Sequence, residues 1–299
     1  MHTSRRVLSA LSFAGLAIAA AVTAAPTHHR HSRNVSIHDD GPIADCNALH
    51  ITFDGREALV QSEDRTITRA EAPTLRIKAD PNSGMQVEGW EKDVYSVSLC
   101  KAAAPGADAE RLLSQIKLSF QNGELSVAGP PYDDAAATYM LVRAPKAAAL
   151  DLEVTNGPLS VYHVAGKITA RAQNGPVSAS GCTGELDLSA QNGPVSSEDN
   201  SGRLNLHAQN GPVSVSLRGE GWSGSGLEAR AENGPVTLQI PRGYKSGVVV
   251  ESSGRGPFSC ASVCSEGRKS WDDDHKRVEF GSGPTLVRLS VGNGPVSVR

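Results

Sequence analysis

Asn156-Gly157-Pro158-Leu159-Ser160, Asn174-Gly175-Pro176-Val177-Ser178, Asn192-Gly193-Pro194-Val195-Ser196 and Asn210-Gly211-Pro212-Val213-Ser214 follow one another at intervals of 18 residues. The same pentapeptide returns as Asn233-Gly234-Pro235-Val236-Thr237 and as Asn293-Gly294-Pro295-Val296-Ser297, and a weaker copy reads Asn122-Gly123-Glu124-Leu125-Ser126. Self-similarity at a fixed period of this length marks a stacked repeat, in which one unit cannot bury its own apolar face and neighbours must cover it. Asn233 comes 23 residues after Asn210, and Asn293 a further 60 residues on, so the later units are expected to carry insertions.

Within each unit apolar residues alternate with polar ones in two short runs, a period of two that belongs to strands rather than helix. The first run points Ile168, Ala170 and Ala172 inward in one unit and Leu186, Leu188 and Ala190 in the next; the second points Val177 and Ala179, then Val213 and Val215. Between the runs Asn tolerates a left-handed backbone, Gly adopts positive φ freely and Pro fixes its own φ while lacking a donor, so each N-G-P is a corner. A second corner recurs at Gly166, Gly184 and Gly202. The pattern predicts an all-β, single-stranded parallel β-solenoid (β-helix) with 18-residue rungs, about ten of them spaced by ~4.8 Å. Stacking in register would gather Asn156, Asn174, Asn192, Asn210, Asn233 and Asn293 into one structural column of side-chain amides. Cys182 occupies the place held by Val164 and Asn200 in neighbouring units, which suits a buried thiol. Upstream, Pro81 to Val87 reads as a corner followed by a strand. One short helix is predicted between Ala107 and Ile116, with Asp108 as N-cap, lying over the open end of the stack.

The ends read differently. Arg5 and Arg6, the apolar run from Val7 to Val22 and the small residues at Thr23 to Ala25 form a secretory signal peptide over residues 1–25. Residues 26–44 are a His-rich leader without apolar periodicity, expected to be disordered. The solenoid domain is assigned to 45–299, with an irregular, disulfide-bearing insertion at about 241–283. In an oxidising compartment Cys260 can pair with Cys264 and Cys46 with Cys100, leaving Cys182 alone. Lys and Arg number 29 against 32 Asp and Glu, a net charge of −3 without basic blocks, which excludes nucleic acid as a partner. After signal cleavage no stretch is apolar enough to span a membrane.

Several residues could carry chemistry. The outward positions of the first run include Glu153, Arg171, Asp187 and His207, types able to do acid–base work, and they define the alternative of a polysaccharide lyase or hydrolase. Signs alternate along these ladders, as a solvated surface requires, so no catalytic residues are assigned. Asp272, Asp273, Asp274 and His275 lack the spacing of a calcium loop, and nothing holds His28, His29, His31 and His38 in one geometry; no metal and no cofactor is expected. The second run places Ser160, Ser178, Ser196, Ser214, Thr237 and Ser297 outward, a flat hydroxyl row that is the candidate binding face.

Gly84-Met85-Gln86-Val87-Glu88-Gly89-Trp90, Val142-Arg143-Ala144-Pro145 followed by Leu150-Asp151-Leu152, and the N-G-P-V-S turns together resemble the adhesin-like β-solenoid family of exported bacterial proteins, over roughly Thr74 to Arg299. The resemblance implies a single-stranded β-solenoid at the periplasm or cell surface and brings no catalytic residues with it. The expected function is therefore a non-enzymatic binding or scaffold protein whose partner is an envelope glycan or a surface protein. Self-association as a structural element is a further alternative.

Overall fold

The computed structural model describes residues 35–38, 42–79, 83–131, 135–254, 256–264, 267–272 and 274–299. The expected signal peptide and the histidines His28, His29 and His31 lie outside the described residues. The described residues are nearly all β, with one short α-helix among them, Ala109–Gln115. Its strands form an 11-stranded first sheet, a 12-stranded second sheet and a small sheet of Val35–His38, His50–Phe53 and Arg56–Glu57.

Each 18-residue unit contributes one strand to each large sheet. Lys167–Asn174 lies in the second sheet and Val177–Ser180 in the first; the next unit adds Thr183–Asn192 and Val195–Glu198. Pairing between units is parallel, with Ile168 opposite Leu186 opposite Leu204, and Val177 opposite Val195 opposite Val213. All of these are buried in a continuous core between the sheets. The corner keeps its backbone satisfied from unit to unit: Gly175 N–H donates to Asn192 O (3.2 Å) and Val177 N–H to Pro194 O (2.9 Å), and the same two bonds recur at Gly193 and Val195. Since each proline offers only a carbonyl, that carbonyl serves the unit behind it.

The parallel pairing reaches the Phe258–Cys260 edge of the first sheet but gives way to antiparallel pairing at the other end of that sheet and at both ends of the second. Val94–Ala103 runs antiparallel to both Leu59–Thr68 and Ala136–Pro145; Lys117–Gln121 runs antiparallel to Glu124–Ala128; and Lys276–Phe280 runs antiparallel to Gly247–Ser252 and Arg268–Trp271. Both large sheets are therefore mixed, and the expectation of an entirely parallel single-stranded stack is corrected. The physical reason is economical edge closure: a hairpin adds a strand through a short turn, whereas a further parallel strand needs a whole crossover. The weak copy Asn122-Gly123 is one such hairpin turn. Both residues have positive φ (52° and 75°), the pairing of a tight two-residue turn, and Asn122 takes no place in the asparagine column.

Stack order also departs from chain order. Strands Thr285–Asn293 and Val296–Val298, the last of the chain, lie between those of 226–239 on one side and those of 247–260 on the other. At the opposite end the strands of 74–90 lie between those of 124–145 and those of 149–162. The stretch read as an irregular insertion, 241–283, thus contains four strands, including a full further coil.

The helix presses Leu113 into the core, followed by buried Ile116. Asp108 precedes it, but its side chain makes no capping bond and accepts instead from Arg111 (2.9 Å). The helix end is held from below. Lys101 Nζ, with its side chain 4% exposed, donates to Ile116 O (3.1 Å) and to Glu63 (3.3 Å), while Glu63 accepts from Leu118 N–H (3.1 Å). Lys101→Met leaves the Ile116 carbonyl unmet and removes the buried cation beside Glu63, which keeps Leu118 N–H and a longer contact to Lys117 (3.8 Å), and is expected to cost about 3 kcal/mol in urea unfolding. An unchanged midpoint for Lys101→Met would show that this clasp does not hold the end.

Finally, Ile43, Leu49, Ile51 and Phe53 lie against Ala102, Ala137, Tyr139 and Leu141 on the outside of the first sheet, forming a second small core tied by the Cys46–Cys100 disulfide. Gln86 clasps this cover, accepting from Ile43 N–H (2.8 Å) and donating to Ile43 O (3.0 Å). The stretch read as a disordered leader therefore includes a paired strand, Val35–His38, and a buried anchor, Ile43.

Candidate functional site

The first sheet presents one polar row straight across its strands. In register it runs Ser259, Ser297, Thr237, Ser214, Ser196, Ser178, Ser160, Gln86. Every predicted hydroxyl is in it. Ser160 is only 8% exposed beside the covered Gln86, and its Oγ accepts from Ser178 Oγ (2.9 Å). The open face therefore starts at Ser178. Ser259 extends the row by a strand that sequence reading missed, although the signal was present: Gly256-Pro257-Phe258-Ser259 matches the repeat without its asparagine. Val296 N–H donates to Pro257 O (2.9 Å), the same bond the other prolines accept. The companion row, Tyr162, Ser180, Glu198, Ser216 and Gln239, borders a shallow hollow of about 320 Å³ over the serines. Glu198 is paired with Arg218 (3.6 Å), which also holds Asp199 (2.7 Å).

Along the corner the asparagines form a chain of amide bonds. Asn174 donates to Asn156 (2.9 Å), Asn192 to Asn174 (2.9 Å), Asn210 to Asn192 (3.0 Å), Asn233 to Asn210 (3.2 Å) and Asn293 to Asn233 (3.1 Å). Each interior amide gives one N–H and its carbonyl oxygen to neighbours, and so these amides hold coil to coil.

The outward ladders of the second sheet separate the four acid–base candidates. Glu153, Arg171 and His207 border one hollow, while Asp187 lies in the adjacent ladder between Thr169 and Asn205. The charges are spent on neighbours: Arg171 binds Asp151 (2.9 Å), Glu153 faces Lys78 (3.7 Å) and His207 contacts Glu232 (3.2 Å). General acid–base catalysis needs groups whose surroundings set their protonation apart and aim them at one reacting atom, and this surface shows no such convergence. Among the described residues no group of three or more His, Cys, Asp or Glu could hold a metal ion. Asp272 accepts from the backbone N–H of His275 (2.6 Å) and so closes its own turn. The Cys260–Cys264 disulfide closes the turn after the last strand of the first sheet.

Cys182 is free and fully buried, and burial pushes its thiol up to about 11. Its N–H donates to Asn200 Oδ1 (2.7 Å), and Asn200 Nδ2 donates to Ala179 O (2.8 Å) and Ser197 Oγ (2.9 Å), so the core's inward amide is satisfied. A neutral thiol without solvent access is inert. At pH 8 the folded protein is expected to resist alkylation by iodoacetamide at Cys182 and to react fully in urea; rapid labelling of the folded form would contradict this burial. Because the folded value lies above the unfolded one, the thiol's contribution to stability is complete below about pH 8.5 and declines as pH rises toward 11.

No helix among the described residues is long and apolar enough to cross a membrane. No family model and no curated protein matches the chain. Solved structures do overlap it. A "putative cell adhesion protein" from Clostridium sporogenes ATCC 15579 shares 11% identity at a TM-score of 0.34, covering 80% of this chain and 99% of its own. A "putative adhesin" from Parabacteroides merdae ATCC 43184 shares 11% at 0.30, covering 80% and 96%. A "putative lipid binding protein" from Parabacteroides distasonis ATCC 8503 shares 10% at 0.31, covering 80% and 96%. At these TM-scores the likeness carries no argument about this chain.

Proposed function

We propose that this chain is an exported, non-enzymatic binding scaffold of the cell envelope: a β-solenoid that engages an envelope glycan or surface protein through its flat faces. The observation that carries this reading is the open hydroxyl face of the first sheet. From Ser178 to Ser259 every strand places a Ser or Thr at the same height, none of it roofed by the N-terminal cover. Such a face offers a repeated donor and acceptor to an extended partner and holds no cleft for a reacting bond. Of the acid–base candidates on the opposite sheet, Arg171 pairs with Asp151, Glu153 faces Lys78, His207 contacts Glu232 and Asp187 lies in a separate ladder, which weighs against the lyase or hydrolase alternative. Export and the adhesin-like character rest on the N-terminal signal and on the sequence resemblance.

The test is co-sedimentation of the protein with purified peptidoglycan and a panel of envelope polysaccharides, with released sugar assayed in the same tubes. Retention without release is expected. Changing Ser178, Ser196 and Ser214 together to Lys should reduce retention at least tenfold if the hydroxyl face is the contact, with the circular dichroism spectrum unchanged because these side chains point to solvent. Released sugar would replace this reading with the enzymatic one.

A further inference from the structure

The outer face of the second sheet holds a trough of about 490 Å³ beside the asparagine column. One wall is the ladder Glu153, Arg171, Ser189, His207; the other consists of Thr155, Gln173, Gln191 and Gln209. The glutamines repeat once per coil, because the alanines before them and the asparagines after them are in register from unit to unit. Their position has a consequence the asparagines' does not. The asparagine amides spend one N–H and the carbonyl oxygen on one another, whereas Gln173, Gln191 and Gln209 are exposed, with no hydrogen-bond partner for their side chains among the described residues. Each carboxamide keeps two donors and an acceptor for whatever lies in the trough.

The opposite wall defines what that ligand can be. Arg171, Glu153 and His207 are each matched by a neighbour of complementary chemistry, Asp151, Lys78 and Glu232, so the trough carries no field of one sign to attract a polyanion or polycation. Ser189, between Arg171 and His207 in the ladder, is small and leaves the middle of the trough open. A peptide adding as a strand would need a free edge, and the strands beneath the trough are paired on both sides. What remains is an uncharged polymer that repeats its hydroxyl groups at the spacing of the coils, ~4.8 Å. That spacing is close to the rise of one pyranose unit along an extended glycan.

We infer that this trough is a binding subsite for an extended, neutral glycan chain lying across the coils, one sugar to each glutamine. The inference rests on the reading of the protein as a glycan-binding scaffold and adds to the hydroxyl face a second subsite, on the second sheet.

The full chain would be titrated calorimetrically with cellohexaose and chitohexaose as neutral probes, their dimers as short ones and oligogalacturonate as a charged one. Two variants accompany it: Q173A/Q191A/Q209A, all exposed positions, and S178K/S196K/S214K. A neutral hexamer that binds at least tenfold more tightly than its dimer and loses at least tenfold in the glutamine variant is the expected result. Undiminished binding by the glutamine variant overturns the inference; if the serine variant fails in that case, the hydroxyl face stands alone. Binding of oligogalacturonate in preference to the neutral hexamers overturns the neutral class. Absence of binding to every sugar removes this inference and the glycan arm of the proposed function together, leaving a surface-protein partner for the scaffold.

Discussion

Removing residues 283–299 is expected to unfold far more than the last coil. In a stack assembled in chain order the final unit has one neighbour, and its loss leaves the rest intact. Here the C-terminal strands are interior. Thr285–Asn293 is paired with Gly226–Asn233 on one side and Gly247–Ser252 on the other, and Val296–Val298 with Val236–Gln239 and Phe258–Cys260. The deletion takes away Val287, Leu289, Val291, Val296 and Val298, all buried. At ~1.5–3 kcal/mol for each fully buried side chain this approaches the whole stability of an ordinary domain. It also leaves 247–260 without its parallel partners. Limited proteolysis read by mass spectrometry should show the 241–282 region cut rapidly in the truncated protein and protected in the full chain. Continued protection of that region would mean that it folds on its own and that the interleaving contributes little.

Gly193→Ala is the second large effect. A Cβ at this corner would stand 2.1 Å from Gly175 O and 2.6 Å from its carbonyl carbon, both backbone atoms of the preceding coil. Neither can move without disturbing the Gly175 N–H to Asn192 O bond and the asparagine column beside it. Relief of the overlap requires the coils to separate, and overpacking of this kind costs ~3 kcal/mol. Gly219→Ala supplies the contrast. Gly219 has φ +72° with nothing within 4 Å of the added atom, so its cost is the backbone conformation alone, ~1–2 kcal/mol. Urea unfolding of the two variants should rank Gly193→Ala clearly below Gly219→Ala; the reverse order would show that the stacked coils yield at the corner and that close approach is not what requires glycine there.

The same glycines mark the division between what could be read and what could not. Alternation of two, the N-G-P corners and their 18-residue spacing are local properties, and by themselves they determined the strands, the inward residues named between Ile168 and Val215 and the outward hydroxyls, because a residue's face in a strand follows from its parity. They also placed Cys182 in the core and the helix near Leu113. Only the tertiary structure decided the ends. Asn122-Gly123 resembles a corner yet closes a hairpin, since the strand after it turns back along the strand before it while its other edge pairs in parallel with Thr74–Lys78. The interleaving of 74–90 and 285–298 depends on which free edge a distant strand reaches, and spacing along the chain carries no record of that. The roofing of Gln86 by Ile43 and the trough beside Gln191 have the same origin: each joins residues from different coils or segments, and such neighbours are set by the stacking of whole sheets rather than by any one stretch of sequence.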